Sequence, residues 1–323
     1  MSAPDGVEIR AYRSGDEEAI VRGFRATFGV ERTVEEWRWS FPPLGGAPTV
    51  EVAFDALGEL VAHYAAIPVA MQSRGRELLA GQVVDVFTRR KLGLFRRRGL
   101  LTRTIESFVA RHCGPGRIEL LFGFPSLRAA ALGRTTGVYP AEGGVGRWTR
   151  PTSGAGARLG WRRSLQRGWD RTALDQLWSE AGPRYGLSAI RGAAWFHWRY
   201  LARPRREYLQ FGVRRRGRTR AWGVVALAPE RARWVDLLWD GDDDGDLALL
   251  AGEARRLAAE SGAREVELWL SGDVSAAAVL AELGWHREVH PDLRLVARSF
   301  TPALTDREIV ARLYVTLGDS DLV

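Results

Sequence analysis

VVDVFTRRKLGLFRRRGLLTRTIESFVARH, residues 83–112, passes from an apolar run through a bend rich in arginine into a segment with helical spacing. Val83-Val84-Asp85-Val86 reads as a strand carrying one acid, and GLLTRTIESFVARH (99–112) as an amphipathic helix. Between and across them, residues 88–103 hold seven positive charges (Arg89, Arg90, Lys91, Arg96, Arg97, Arg98, Arg103) and no acidic residue. Gly99 lets the backbone come close to a ligand, and the new helix turns its free N–H groups and positive dipole end to the same place. Such an entrance can receive a pyrophosphate, with arginines for a further phosphate. Physical grounds alone leave a solvated basic helix entrance as the alternative.

Outward from this stretch the chain repeats itself. Trp37-Arg38-Trp39 with Pro42 and Pro43 has a counterpart in Trp198-Arg199-Tyr200 with Pro204. Two strand-like runs follow in each half: VEVAF (50–54) and ELVAHYAAIPVAM (59–71), then EYLQFGV (207–213) and RAWGVVAL (220–227). Val83–Val86 is matched by Trp234-Val235-Asp236-Leu237, and helix 99–112 by DLALLAGEARRLAAE (246–260). Strand RIELLFGF (117–124) is matched by REVELWLS (264–271), and each half closes on a short helix and a glycine, Gly137 or Gly284. Strands followed by helix, strand and helix predict a mixed α/β sheet in each half.

These correspondences divide the chain into residues 1–150, a Gly-, Ser- and Arg-rich linker at 151–168, a second half at 169–300, and a helix and tail at 301–323. VEIRAY (7–12) reads as a strand and 16–28 as a helix capped by Ser14. The 323 residues are 46% hydrophobic and 27% charged, which suits a globular chain and not a disordered one. No apolar run approaches a bilayer span of roughly 20 residues, and MSAPDGVEIR lacks the layout of a signal peptide. A lone cysteine, Cys113, excludes an intrachain disulfide framework and cysteine-rich zinc sites, so a reducing cytoplasm is expected. Lys91 is the sole lysine; the net charge of +8 is mostly arginine bias of the kind a GC-rich genome produces. No membrane partner is expected, and nucleic acid is not favoured; the oligomeric state is not legible.

Strand, loop, helix and the run Arg96-Arg97-Arg98-Gly99-Leu100-Leu101 resemble the acyl-CoA signature R/Q-x-x-G-x-G/A of the GNAT superfamily. The run RRRGLL is similar to Eis-type and other multi-domain members, in which a large residue such as Leu101 replaces the last small one. The resemblance implies an α/β fold of two tandem GNAT-like mixed-sheet halves. It also implies acetyl-CoA (or another acyl-CoA) as co-substrate and a small-molecule amine as acceptor, such as an amino sugar or antibiotic. Backbone groups of Val86, Phe87 and Thr88 would pair with the pantetheine arm. The amides from Arg97 through Gly99, Leu100 and Leu101 to Thr102 would hold the pyrophosphate, beside Arg96.

At the equivalent place the second half reads DGDDDGD (240–246), five aspartates that would repel a phosphate by about 1 kcal/mol per close pair even in water. The second half is therefore expected to be degenerate at the cofactor site. Asp240, Asp242, Asp244 and Gly245 match the opening of a calcium loop, but Ala251 stands where its glutamate belongs, so a solvated acidic turn is expected.

Transfer to an amine calls for a base and an acid. Related enzymes use a tyrosine after the fifth strand as acid; ALGRTTG (131–137) has none, and Tyr139 just beyond is the candidate. Asp85 is the candidate base, although Asp236 at the matching place suggests a structural role for both. Glu36 and His63 are weaker candidates, and Asp319 and Asp321 of the tail are set against a frayed acidic end. Trp37, Trp39 and Trp198 are expected in the core or between the halves. Two alternatives remain: a Fem-like aminoacyl-tRNA-dependent transferase, and a non-catalytic CoA-binding regulatory protein.

Overall fold

Residues 6–41, 48–89, 99–154 and 162–322 are described by the computed structural model, in which the chain packs as two units. Unit 1 takes Met1–Ala70, Leu78–Gly143 and Asp292–Val310; unit 2 takes Met71–Glu77, Gly144–Pro291 and Ala311–Val323. Pro42 and Pro43 lie outside the described residues.

Unit 1 begins with β1 (Glu8–Ala11), α1 (Glu17–Phe28) and α2 (Val34–Trp39). It continues with β2 (Val50–Phe54), most of β3 (Leu60–Ser73) and of β4 (Arg76–Thr88), α3 (Leu100–His112), β5 (Ile118–Gly123) and α4 (Leu127–Thr136). β1, β2 and β3 are antiparallel neighbours, β4 follows β3, and β4 and β5 are parallel around the α3 crossover. β3 is buried along most of its length because helices cover both faces of the sheet. Consecutive residues of a strand point to opposite sides. Tyr64 meets Phe108 of α3 at 4.9 Å between ring centroids, while His63 stacks on Phe87 at 5.1 Å. Phe87 in turn lies so near α1 that a Cβ on Gly23 would come within 2.8 Å of its ring. Trp37 is buried against Tyr12 and Phe41, as expected of a core residue.

Unit 2 holds most of β6 (Ala141–Pro151), then β7 (Arg163–Arg167), α5 (Arg171–Ala181), β8 (Leu187–Ala189) and α6 (Ala193–Phe196), which runs into a π-helical turn at His197–Leu201. β9 (Leu209–Arg215), β10 (Arg218–Ala226), β11 (Arg231–Trp239), α7 (Asp244–Glu260), β12 (Glu265–Trp269) and α8 (Val274–Glu282) follow. Its sheet runs β7-β9-β10-β11 antiparallel, then β11 and β12 parallel around α7, then β6 antiparallel to β12. Trp222, Trp234, Trp239 and Trp269 fill its core. The order of strands and helices repeats that of unit 1, as the paired motifs predict. The chain closes with β13 (His286–Ser299) and α9 (Asp306–Arg312).

Several particulars differ from expectation. The linker at 151–168 contains a strand, β7, which pairs with β9 from Arg163↔Arg215 to Arg167↔Phe211. The units are not contiguous stretches. From Asp292 on, β13 belongs to unit 1 and pairs with β5, whereas β6 from Gly144 on belongs to unit 2 and pairs with β12. Neither strand announces itself, because AEGGVGRWTRP is rich in glycine and HREVHPDLRLVARS is interrupted by proline. Asp16, not Ser14, stands at the N-cap position of α1, and its side chain makes no cap there. Its carboxylate accepts instead from Arg10 at 2.7 and 2.8 Å and from the Arg13 amide at 2.7 Å. Among the described residues no helix is long and apolar enough to cross a membrane.

Candidate active site

Parallel strands β4 and β5 are in register from Leu79↔Ile118 to Gln82↔Phe122. At Gly123 they are still close, since a Cβ there would sit 3.2 Å from the Val83 carbonyl oxygen. β5 then ends, while β4 runs on to Thr88 with no β5 partner among the described residues. The strands fork, and the edge of β4 at Val86, Phe87 and Thr88 borders the fork. Val86 packs toward the α3 face of the sheet and Phe87 is buried. Thr88 keeps a buried hydroxyl without a partner among the described residues.

Asp85 stands where the fork begins, with φ 53° in mid-strand. A residue with a β-carbon adopts that left-handed conformation at a cost of about 1–2 kcal/mol, so its neighbours must hold it. His63 Nδ1–H donates to the Asp85 carbonyl at 2.6 Å. Arg32 donates to the Asp85 carboxylate at 2.5 Å and also to Ser40 Oγ. The Arg32 guanidinium lies over the Phe24 ring at 5.3 Å. Burial pushes the His63 pKa down, keeping the ring neutral, and its Nε2 has no partner among the described residues. Asp85 is thus a clamped, buried carboxylate. Arg32 and Ser40 carried no signal in the sequence, because their role depends on a contact between residues 53 positions apart.

Helix α3 begins at Gly99, which is extended (φ −65°, ψ 161°) and makes no side-chain cap. Its first turn contains no acid, and its first intrahelical bond runs from the Arg103 amide to the Gly99 carbonyl at 3.1 Å. The amides of Leu100, Leu101 and Thr102 are therefore available to an acceptor from outside the helix. Leu100 packs against Val7, Ala53, Val61 and Ala62, and Leu101 against the cluster around Phe108 and Leu121. Both side chains point into the unit, so the bulk of Leu101 does not obstruct the amides. Arg96, Arg97 and Arg98 lie outside the described residues. What is described fits an anionic group held by backbone N–H donors.

Tyr139 and Glu36 each have partners of their own. Tyr139 lies at the end of α4, over Gly133, in the cluster that includes Ile118 and Cys113 at the start of β5. Its hydroxyl meets Tyr64 at 3.2 Å, and desolvation pushes its pKa up to about 12. The same cluster takes in Val83 and Val86 of β4, and Tyr64 is next in sequence to His63, which bonds the Asp85 carbonyl. Glu36 closes a capping box on α2: its carboxylate accepts from the Thr33 amide at 2.8 Å, and Thr33 Oγ1 accepts from the Glu36 amide at 3.1 Å. The spacing Thr33-x-x-Glu36 is itself the signature of that motif.

In unit 2 the aspartate loop is solvated at Asp242 and Asp244 but not at Asp246. Asp246 is fully buried and takes Arg163 and Arg215, each at 2.8 Å. Asp243 takes Arg163 at 2.6 Å and caps α7 by accepting from the Gly245 amide at 2.8 Å, and Asp242 takes Arg215. The place that α3 leaves to a ligand is filled on α7 by the chain's own carboxylates. Among the described residues no three His, Cys, Asp or Glu side chains are grouped to hold a metal.

Known proteins share this fold. The family model described as an acetyltransferase (GNAT) domain matches residues 8–132. A solved structure from Enterococcus faecalis, described as a probable N-acyltransferase, is 14% identical with a TM-score of 0.67, over 91% of this chain and 72% of its own. The N-myristoyltransferase of Saccharomyces cerevisiae with bound myristoyl-CoA is 13% identical with a TM-score of 0.61, over 100% of this chain and 90% of its own. A GCN5-related N-acetyltransferase from Anabaena variabilis is 12% identical with a TM-score of 0.65, over 91% and 73%. At these identities the likeness is one of fold. No curated protein matches the sequence.

Proposed function

We propose, from the premise that residues 8–132 form a GNAT acetyltransferase domain, that the chain transfers an acetyl group from acetyl-CoA to an amine of a small molecule, such as an amino sugar or antibiotic. The observation that carries the reading is the fork of β4 and β5, with Gly99–Thr102 at the uncapped start of α3 following the same strand. Bound acyl-CoA supplies the activated thioester; the amine forms the amide bond, the C–S bond breaks, and CoA leaves as a thiol. In this reading the amides of Leu100, Leu101 and Thr102 bind the pyrophosphate, and Arg96, Arg97 and Arg98 belong to the same basic segment. The edge of β4 at Val86–Thr88 aligns the extended arm. Asp85, clamped by Arg32 and tied to His63, fixes the bend at which that edge begins, and it serves as a positioning residue.

The test pairs calorimetric titration of the protein with acetyl-CoA and a thiol-release assay over a panel of amino sugars, aminoglycosides and polyamines. Binding together with amine-dependent thiol release supports the reading. Binding without release for any amine favours a CoA-binding regulatory protein. No binding by the folded chain overturns both.

A further inference from the structure

Unit 2 has a fork of its own. β11 and β12 are in parallel register from Arg231↔Glu265 to Trp234↔Leu268, after which β11 continues to Trp239. A segment of the chain lies between them. The backbone of Val315 exchanges two hydrogen bonds with Ser271, just past β12, at 3.0 and 3.1 Å. Tyr314 donates its hydroxyl to the Leu237 carbonyl of β11 at 2.5 Å and its amide to Leu187 at 2.8 Å. Thr316 Oγ1 donates to Asp236 at 3.1 Å. Gly318 lies so close beneath β11 that a Cβ would meet the Val235 carbonyl and Asp236 at 3.1 Å, and the Tyr200 hydroxyl closer still.

The charges are matched as closely as the backbone. Arg191 is fully buried and bridges Asp236, at 3.1 Å, and Asp319 of the tail. Arg199, also buried, donates to the Gly318 carbonyl at 2.8 Å and to the Ser320 carbonyl. Asp236 accepts in addition from Trp195 at 2.9 Å, Tyr200 at 2.7 Å and the Leu237 amide at 2.9 Å. Residues 313–320 are buried throughout, so this part of the acidic tail is not frayed.

We propose that the fork of unit 2 is a peptide-binding cleft whose ligand is the chain's own segment 313–320. Its recognition elements are an extended backbone for Ser271, a hydroxyl for Asp236, a residue without a side chain under Val235, and a carboxylate for Arg191. The parallel with unit 1 rests on the acyl-CoA reading, whereas the peptide cleft rests on contacts within unit 2 alone.

Hydrogen exchange on the intact chain tests this first. The tail amides of Val315 and Asp319 exchange as slowly as core amides of β11; fast exchange in the wild type overturns the proposal. Gly318→Val then displaces the tail, and a labelled synthetic peptide of residues 313–322 with the native glycine binds the variant but not the wild type. The same peptide carrying Asp319→Asn binds at least about tenfold more weakly, because Arg191 loses a buried partner. A folded Gly318→Val chain that keeps its tail protected, or that takes no peptide, overturns the proposal. If that variant does not fold, the wild-type exchange result decides. Acetyl-CoA titration of the same samples separates the two readings, since affinity in unit 1 is expected to stay unchanged while the tail is released.

Discussion

Replacing Gly99 with aspartate would make the start of α3 chemically like the start of α7. Gly99 is extended, so a side chain is tolerated there, and it already occupies the N-cap position. An aspartate would accept from the amide of Leu101 or Thr102, as Asp243 accepts from the Gly245 amide at 2.8 Å. A good cap in place of glycine contributes a few tenths of a kcal/mol. A carboxylate at the positive end of a helix adds about 0.3–1 kcal/mol. Their sum of about 1 kcal/mol corresponds to a rise in melting temperature of about 2–4 °C.

The same carboxylate would face a bound pyrophosphate. At about 5 Å each of two phosphate charges costs about 1–3 kcal/mol across the dielectric range from water to protein surface. Even the lower bound, about 2 kcal/mol in total, weakens acetyl-CoA by about 30-fold, and added salt restores part of the loss. Differential scanning calorimetry and titration calorimetry on Gly99→Asp therefore move in opposite directions, which an unfolding artefact cannot imitate. A stabilised variant with unchanged acetyl-CoA affinity would refute the placement of the pyrophosphate at α3.

Arg32→Leu strands the buried Asp85 carboxylate and is expected to cost about 3 kcal/mol in urea denaturation. Asp85→Asn, which keeps a residue tolerant of positive φ, should retain kcat within about tenfold; a loss nearer a thousandfold would make Asp85 the proton acceptor. Tyr139→Phe removes one hydroxyl pair in the cluster and should lower stability by about 1 kcal/mol; a loss of kcat of about a hundredfold or more besides would make Tyr139 the acid. Because the folded His63 pKa lies below the unfolded value of about 6.5, its contribution is complete above that pH. It is lost as pH falls from 6.5 toward the folded value, by up to about 1.4 kcal/mol per pH unit. Urea midpoints between pH 7.5 and 5 should show this slope, reduced in His63→Phe.

The fold was legible because its signals are local. Residues 83–112 carry their own periodicity, and the same order of strand, helix and glycine recurs in 234–284, so two mixed sheets could be inferred without a contact map. The end of β4 and the start of α3 were legible for the same reason: Val86–Thr88 and Gly99–Thr102 keep their places in any chain that folds this pattern. The acid–base candidates were not. Asp85 and Asp236 look alike in sequence, yet Arg32 and His63 hold one, and Arg191, Trp195, Tyr200 and Thr316 the other.

The sequence by itself determined the two α/β repeats, the basic entrance of the first and the acidic entrance of the second. Tertiary structure alone decided that the Tyr139 hydroxyl meets Tyr64, that Arg163 and Arg215 neutralise the aspartates, and that residues 313–320 fill the second fork. The reason is physical. Helical and strand periods are written in neighbouring residues, whereas burial and ion pairing join groups such as Arg191 and Asp319, 128 positions apart; composition shows the charges but not the partners.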